Sequence, residues 1–152
     1  MTRRPRVLLV CSPGGHLAQM LSVQDACEGY DCVWVTYQGA DVPHLLESRE
    51  VELVHGPTNR SIKNLLRNAV LGWRLIRRHR PAAIISTGAG IALPFFWLGK
   101  LHGSRLIFVE SLARVHGLSV TGKLVYPVAD HFFIQWPNVT TWKRARFEGD
   151  LL

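Results

Sequence analysis

The sequence predicts an α/β domain, doubly wound around a mostly parallel sheet. Three observations lead there. Short β-rich apolar runs alternate with segments of helical period along the chain, glycine turns stand where strands hand over to helices, and no repeat, low-complexity stretch or linker divides the sequence. The 152 residues are near the commonest size of one domain, so a single Rossmann-like domain over 1–152 is expected.

Taken in order, residues 7–11 are a continuous apolar run of strand length, broken by Ser12-Pro13-Gly14-Gly15. Residues 16–26 read as a helix with Leu17, Met20 and Leu21 on adjacent turns. Residues 32–36 form a second strand closed by Gln38-Gly39, residues 51–54 a short third, and the segment from Gly56 to Asn59 a loop. Ser61 has the character of an N-cap for a long helix to His79, which Pro81 terminates. Residues 82–86 are a strand, residues 87–90 a tight turn, and 91–101 an apolar helix. Residues 106–109 and 131–134 complete the strands.

Charge is unevenly placed. The formal net charge is +7, and the stretch from Leu53 to Val109 contains no Asp or Glu while it holds nine Lys and Arg residues. One contiguous basic region predicts an anionic partner: phosphate, lipid headgroup or nucleic acid. Nucleic acid fits least, because the region lacks interleaved exposed aromatics and any binding motif. In the long helix, Ile62, Leu66, Ala69, Trp73 and Ile76 recur at intervals of four and three, so they are expected to face the sheet. Lys63, Arg67, Arg74 and Arg78 form a separate stripe, suited to an anionic membrane surface. The longest apolar run, 91–101, is about half the roughly 20 residues of a membrane span, and the opening run at 7–11 is too short for a secretion signal. Contact with a membrane is therefore expected to be peripheral. Cys11, Cys27 and Cys32 are odd in number without metal-type spacing, which fits reduced thiols in the cytoplasm.

Ligands of parallel α/β sheets bind beyond the carboxyl ends of the strands. Three segments fall there. Ser12, Gly14, Gly15 and His16 open a helix directly after the first strand, where free N–H groups attract phosphate and His16 can serve as base or donor. Thr87, Gly88 and Gly90 repeat the strand–glycine turn–helix pattern. Glu110, Ser111 and Arg114 follow a later strand; Glu110 can accept a hydroxyl proton or bind a sugar hydroxyl, or else pair with Arg114 or a helix terminus. Without an Asp-x-Asp element no divalent metal is expected, and no cofactor. The pair Gly88/Gly90 with Glu110 downstream imitates a dinucleotide fingerprint, but Leu93 stands where the third glycine would permit close helix packing.

The segments 10–17, 85–90 and 108–115 resemble the PssD-type exopolysaccharide proteins and the membrane-associated subunit of the split N-acetylglucosaminyltransferase of dolichol-linked oligosaccharide synthesis. The similarity extends over nearly the whole chain. It implies the N-terminal, acceptor-side half of a GT-B glycosyltransferase cut into two polypeptides, ending where the second half would begin. The implied partners are a donor-binding second GT-B half, a polyprenyl-diphosphate-linked acceptor and a UDP-sugar shared with that partner. His16 or Glu110 would be the base of an inverting, metal-free transfer, with Ser111 and Arg114 positioning acceptor or interface. His16 matches a Gly-Gly-His loop of the related peptidoglycan enzyme, and Glu110 matches the acid of its His-Glu-Gln-Asn segment, with Val109 and Ser111 as neighbours here. Eukaryotic relatives usually carry an N-terminal membrane helix. Attachment to the cytoplasmic face would rest here on the basic helix, on Phe95 and Trp97 of the patch 94–98, or on the partner. The alternative implied role is a non-catalytic recruiter of the catalytic subunit.

Overall fold

Seven strands form one sheet in a computed structural model that describes residues 4–139 and 142–151. They are β1 (Arg6–Cys11), β2 (Asp31–Thr36), β3 (Val51–Leu53), β4 (Ala83–Gly88), β5 (Arg105–Val109), β6 (His131–Phe133) and β7 (Ala145–Arg146). Their order is β3-β2-β1-β4-β5-β6-β7, and every pairing is parallel. The helices are α1 (Gly15–Val23), α2 (Val42–Leu45), α3 (Ile62–His79), α4 (Ala92–His102) and α5 (Val120–Val125), with a short 3-10 turn at Gln24–Cys27. The mostly parallel sheet read from the sequence is thus parallel throughout the described residues. The six strands expected are present within one or two residues of their expected ends.

Alternation along β1 divides the core into two layers. Leu8 and Val10 join Val33, Val35, Ile84 and Phe108 under α3 and α4, while Val7, Leu9 and Cys11 join Trp34, Leu17 and Met20 under α1. Burial on both faces explains why the strands read as unbroken apolar runs. Phe108 stacks on Phe132 at 5.0 Å and meets Phe96 edge-on at 5.8 Å, so α4, β5 and β6 share one aromatic seam.

Two sequence expectations are corrected here. The face of α3 turned to the core consists of Asn68, Gly72, Leu75, Ile76 and His79. Of the stripe expected to pack, only Ile76 is fully buried; Ile62, Leu66 and Trp73 are 75%, 63% and 39% exposed. Periodicity identifies a stripe but not which stripe a neighbour covers. Here two small or polar residues decide. Gly72 lets α3 approach α4 so closely that an added Cβ would stand 3.4 Å from the Phe95 ring. Asn68, wholly buried, accepts from the His55 N–H and donates to the His55 carbonyl, both at 2.8 Å. The second correction concerns Phe95, which is fully buried in the core and so does not present itself to a membrane, whereas Trp97 is 47% exposed. The start of α4, Ala92 to Phe96, is covered almost all round, and the helix surfaces at Trp97, Lys100 and Leu101.

Ser61 caps α3 by accepting from the Asn64 N–H at 3.2 Å, as its position in the sequence indicates. The Asn68–His55 pair then fixes the chain leading from β3 into that cap. Asn68→Ala should destabilise the protein by about 2 kcal/mol, because it removes both hydrogen bonds that hold the His55 backbone. Urea titration monitored by circular dichroism measures it; a loss below about 0.5 kcal/mol would show that water replaces the clamp.

Candidate functional site at the strand switch point

The chain leaves the first half of the sheet at β3 and re-enters beside β1 as β4. In open parallel sheets, that reversal opens a crevice at the carboxyl ends of the strands. A cleft of about 1150 Å³ lies there. Its polar wall comes from loops: Ser12 and His16 after β1, Thr58 to Ser61 before α3, Gly90 after β4, and Ser111, Arg114 and Ser119 after β5. Its apolar wall comes from Ile62 and Leu65 of α3, Leu93 of α4, and Val120 and Leu124 of α5. No Asp or Glu lines it among the described residues. Of the residues singled out from sequence, Ser12, His16, Gly90, Ser111 and Arg114 meet in this cleft; Thr87, Gly88 and Glu110 are buried and do not line it, and Gly14 and Gly15 are exposed outside it.

His16 and Thr87 are bound reciprocally. The ring Nδ1 lies 2.8 Å from the Thr87 carbonyl, and the Thr87 hydroxyl donates to the His16 carbonyl at 2.6 Å. A carbonyl only accepts, so Nδ1 carries a proton, and in the neutral ring that leaves the lone pair on Nε2. Thr87 itself is wholly buried, and its role is to hold the ring. Gly88, at φ 120°, continues the arrangement: an added Cβ would stand 2.9 Å from His16 Cε1. The β1–β4 register slips between Val10 and Cys11, which pairs Cys11 with Gly88 and brings the two glycine turns side by side.

The first glycine loop is already occupied. Gly14 takes φ 82° at the N-cap of α1, and its N–H donates to the Asp41 carboxylate at 2.7 Å. Gly39 keeps the loop before α2 against this turn, since a Cβ there would lie 2.5 Å from Pro13. The carboxylate at this turn offsets the positive end of α1 and disfavours a second anion. Burial, with a smaller contribution from Asp41, pushes the Cys11 thiol up to about 12, so Cys11 is not a nucleophile.

Glu110 is buried and fully engaged. It accepts from the Ser111 N–H at 2.9 Å, the Ser119 N–H at 2.9 Å and the Ser119 hydroxyl at 3.1 Å. Ser119 in turn accepts from the Gly122 N–H at 2.9 Å and caps α5. Gly122 permits this, because a Cβ there would stand 2.3 Å from Glu110 Oε2. Trp136 donates to the Leu112 carbonyl at 2.7 Å, fastening the same loop from outside. The geometry makes Glu110 the carboxylate that shapes the loop holding Ser111 and Arg114.

Sequence reasoning passed over Thr58, Asn59 and Arg60, reading the segment before α3 as a plain loop. The signal was faint: a turn-rich segment before a capped helix in a basic stretch. Elsewhere, Glu50, Glu52 and His79 bring ligand atoms within 4.8 Å of one another. Arg6 donates to Glu50 at 3.2 Å and to His79, and His79 Nε2 lies 2.8 Å from Glu52, so this is an ion-pair network closed by a guanidinium.

The sheet order, the cleft and its loops define one Rossmann-like half of a GT-B architecture. The structure of MurG from Acinetobacter baumannii superposes with a TM-score of 0.76 at 17% identity, over 93% of this chain and 44% of that one. Such low identity establishes the fold alone. The chain belongs to the family described as oligosaccharide biosynthesis protein Alg14 like, which matches residues 35–151. Several curated relatives carry the name UDP-N-acetylglucosamine transferase subunit ALG14. That of Eremothecium gossypii is 34% identical over 76% of this chain and 56% of its own length, and that of Candida albicans 25% identical over 95% and 77%. The chain thus spans little more than half of the first relative.

Gly88→Ala should disturb the site more than the fold, by pressing on the imidazole and by forcing a side chain into a left-handed backbone. The His16 ring resonances should shift in NMR spectra while circular dichroism stays native. An unshifted ring would mean that the turn yields without touching His16.

Proposed function

We propose that this chain is the acceptor-side half of a two-component inverting glycosyltransferase, moving a sugar from a UDP-sugar onto a polyprenyl-diphosphate-linked acceptor. The relatives' names make N-acetylglucosamine the sugar to try first. One observation carries the reading: an acid-free cleft at the switch point joins a polar wall bearing His16, Arg60 and Arg114 to an apolar wall from three helices. That suits an amphiphile with an anionic head. A second Rossmann-like half would bind the nucleotide and close over this edge of the sheet.

In this mechanism Nε2 of His16 accepts the proton of the acceptor hydroxyl as its oxygen attacks the anomeric carbon, and the bond to UDP breaks with its electrons leaving on the diphosphate. The Thr87 carbonyl holds the ring in the required tautomer and stabilises the imidazolium that forms. Glu110 acts by positioning the loop 111–119.

The same reading assigns α3 to the cytoplasmic face of the membrane. Ile62, Leu66, Val70 and Trp73 present an apolar stripe to the outside, flanked by Lys63, Arg67, Arg74 and Arg78. Apolar residues outward beside basic ones is the pattern of a helix lying in a lipid interface. No helix among the described residues is long and apolar enough to cross a membrane. Ile62 belongs both to the exposed stripe and to the cleft lining, so a prenyl chain can stay in the lipid while its head reaches His16.

The test is His16→Ala, assayed with the partner subunit on lipid-linked acceptor. Turnover should fall on the order of 100-fold with complex formation unchanged. Near-normal turnover would remove His16 from the chemistry and favour a chain that only recruits its partner. In parallel, Leu66→Glu with Trp73→Glu should abolish sedimentation with anionic vesicles. Unchanged sedimentation would contradict the docking of α3.

A further inference from the structure

We infer that the loop entering α3, and not the glycine loop entering α1, holds the diphosphate of the lipid acceptor, with Arg60 and Arg114 as its clamp. The inference deepens the proposed function and rests on it for the identity of the lipid.

The two candidate helix starts differ in what already occupies them. At α1, Gly14 has given its N–H to Asp41 at 2.7 Å, and a carboxylate beside a phosphate costs binding. At α3, the described residues place no acid on the cleft. The Ser61 cap satisfies the Asn64 N–H at 3.2 Å, and among the described residues the N–H groups of Ile62 and Lys63 make no hydrogen bond. The same is true of Gly15, His16 and Leu17 in α1, so the difference between the two starts is the Asp41 carboxylate. α3 has 18 residues, long enough for a full helix dipole at that end.

Three side chains point to a ligand independently of the helix. Thr58 lines the cleft, is 8% exposed, and has a buried hydroxyl without a hydrogen-bond partner. Buried hydroxyls are normally paired, and this one, enclosed beside Gly90 in the cleft wall, is left for a group that enters between the two loops. Arg60 and Arg114 also line the cleft, and neither guanidinium forms an ion pair or hydrogen bond among the described residues. Guanidinium groups match phosphate oxygens two at a time. Arg60 adopts φ 56°, a backbone state costly for a non-glycine residue, and the Asn68–His55 clamp lies just upstream of it. The hydrocarbon next to the diphosphate then meets Ile62, Leu65 and Val120.

A diphosphate could come from the lipid or from the UDP donor, and binding to the full chain separates them. Calorimetry with inorganic pyrophosphate, geranyl diphosphate and UDP should rank geranyl diphosphate tightest. Arg60→Gln and Arg114→Gln should each weaken it about tenfold, while Asp41→Ala should change it less than twofold. On the unmodified protein, geranyl diphosphate should shift the amide resonances of residues 60–64 more than those of 14–18. Undiminished binding by Arg60→Gln, or shifts centred on 14–18 with tighter binding by Asp41→Ala, overturns the assignment. Arg60-dependent binding of UDP without binding of geranyl diphosphate overturns it too. Failure here is separable from failure of the enzyme reading: sugar transfer by the assembled enzyme that survives Arg60→Gln removes only the subsite. Arg60-dependent lipid diphosphate binding without transfer in the presence of the partner removes only the enzyme.

Discussion

The reciprocal bonds between His16 and Thr87 tie together the two turns that flank the switch point, and the cleft is arranged around them. One bond uses the backbone carbonyl of Thr87 to fix the imidazole tautomer; the other uses the Thr87 hydroxyl to satisfy the backbone of His16. Both turns therefore lose freedom together, and the ring is held before any substrate arrives. The requirement spreads outward. Gly88 must lack a side chain because the ring lies against it, and the β1–β4 register must slip by one residue to bring the turns level. Glu110 does for the third loop what Thr87 does for the first, spending a buried carboxylate on backbone N–H groups so that Ser111 and Arg114 stand at the rim.

A second constraint is the way α3 sits on the sheet. Asn68 and Gly72 bring it close to α4 and turn Ile62, Leu66, Val70 and Trp73 outward. Water penalises such a stripe, at roughly 25 cal/mol for each Å² of apolar surface, so an uncovered stripe is destabilising unless something covers it. The basic stripe of Lys63, Arg67, Arg74 and Arg78 along one side of it favours an anionic cover. Because the stripe begins at Ile62, in the cleft wall, one helix links lipid contact to the site and caps the loop carrying Arg60. On the proposed function, surface attachment and acceptor delivery would be one structural feature.

Much of this was legible in the sequence. Strand positions were, because strands buried on both faces leave continuous apolar runs, as in residues 7–11 and 32–36. The glycine turns were, because only glycine tolerates the backbone of Gly14 and Gly88. The facing of α3 was not: its outward stripe is as periodic as a buried one, and the residues that set its orientation, Asn68 and Gly72, carry no apolar signal. Phe95 and Trp97 lie two positions apart on a helix that is apolar all round, so composition could not say which was covered. The Asp41–Gly14 bond joins residues 27 positions apart, and Thr58 is notable only for lacking a partner. Both are properties of the folded loops and leave no local pattern.

The central claim is that this Rossmann-like unit is one half of an enzyme whose other half is a separate chain. The direct measurement is sugar transfer from UDP-N-acetylglucosamine to a prenyl-diphosphate-linked acceptor in anionic vesicles, with this chain alone, the second subunit alone, and both together. The account predicts transfer only when both are present, saturating at a fixed ratio of the two. Appreciable transfer by this chain alone, or by the second subunit at an equal rate without it, would contradict the account.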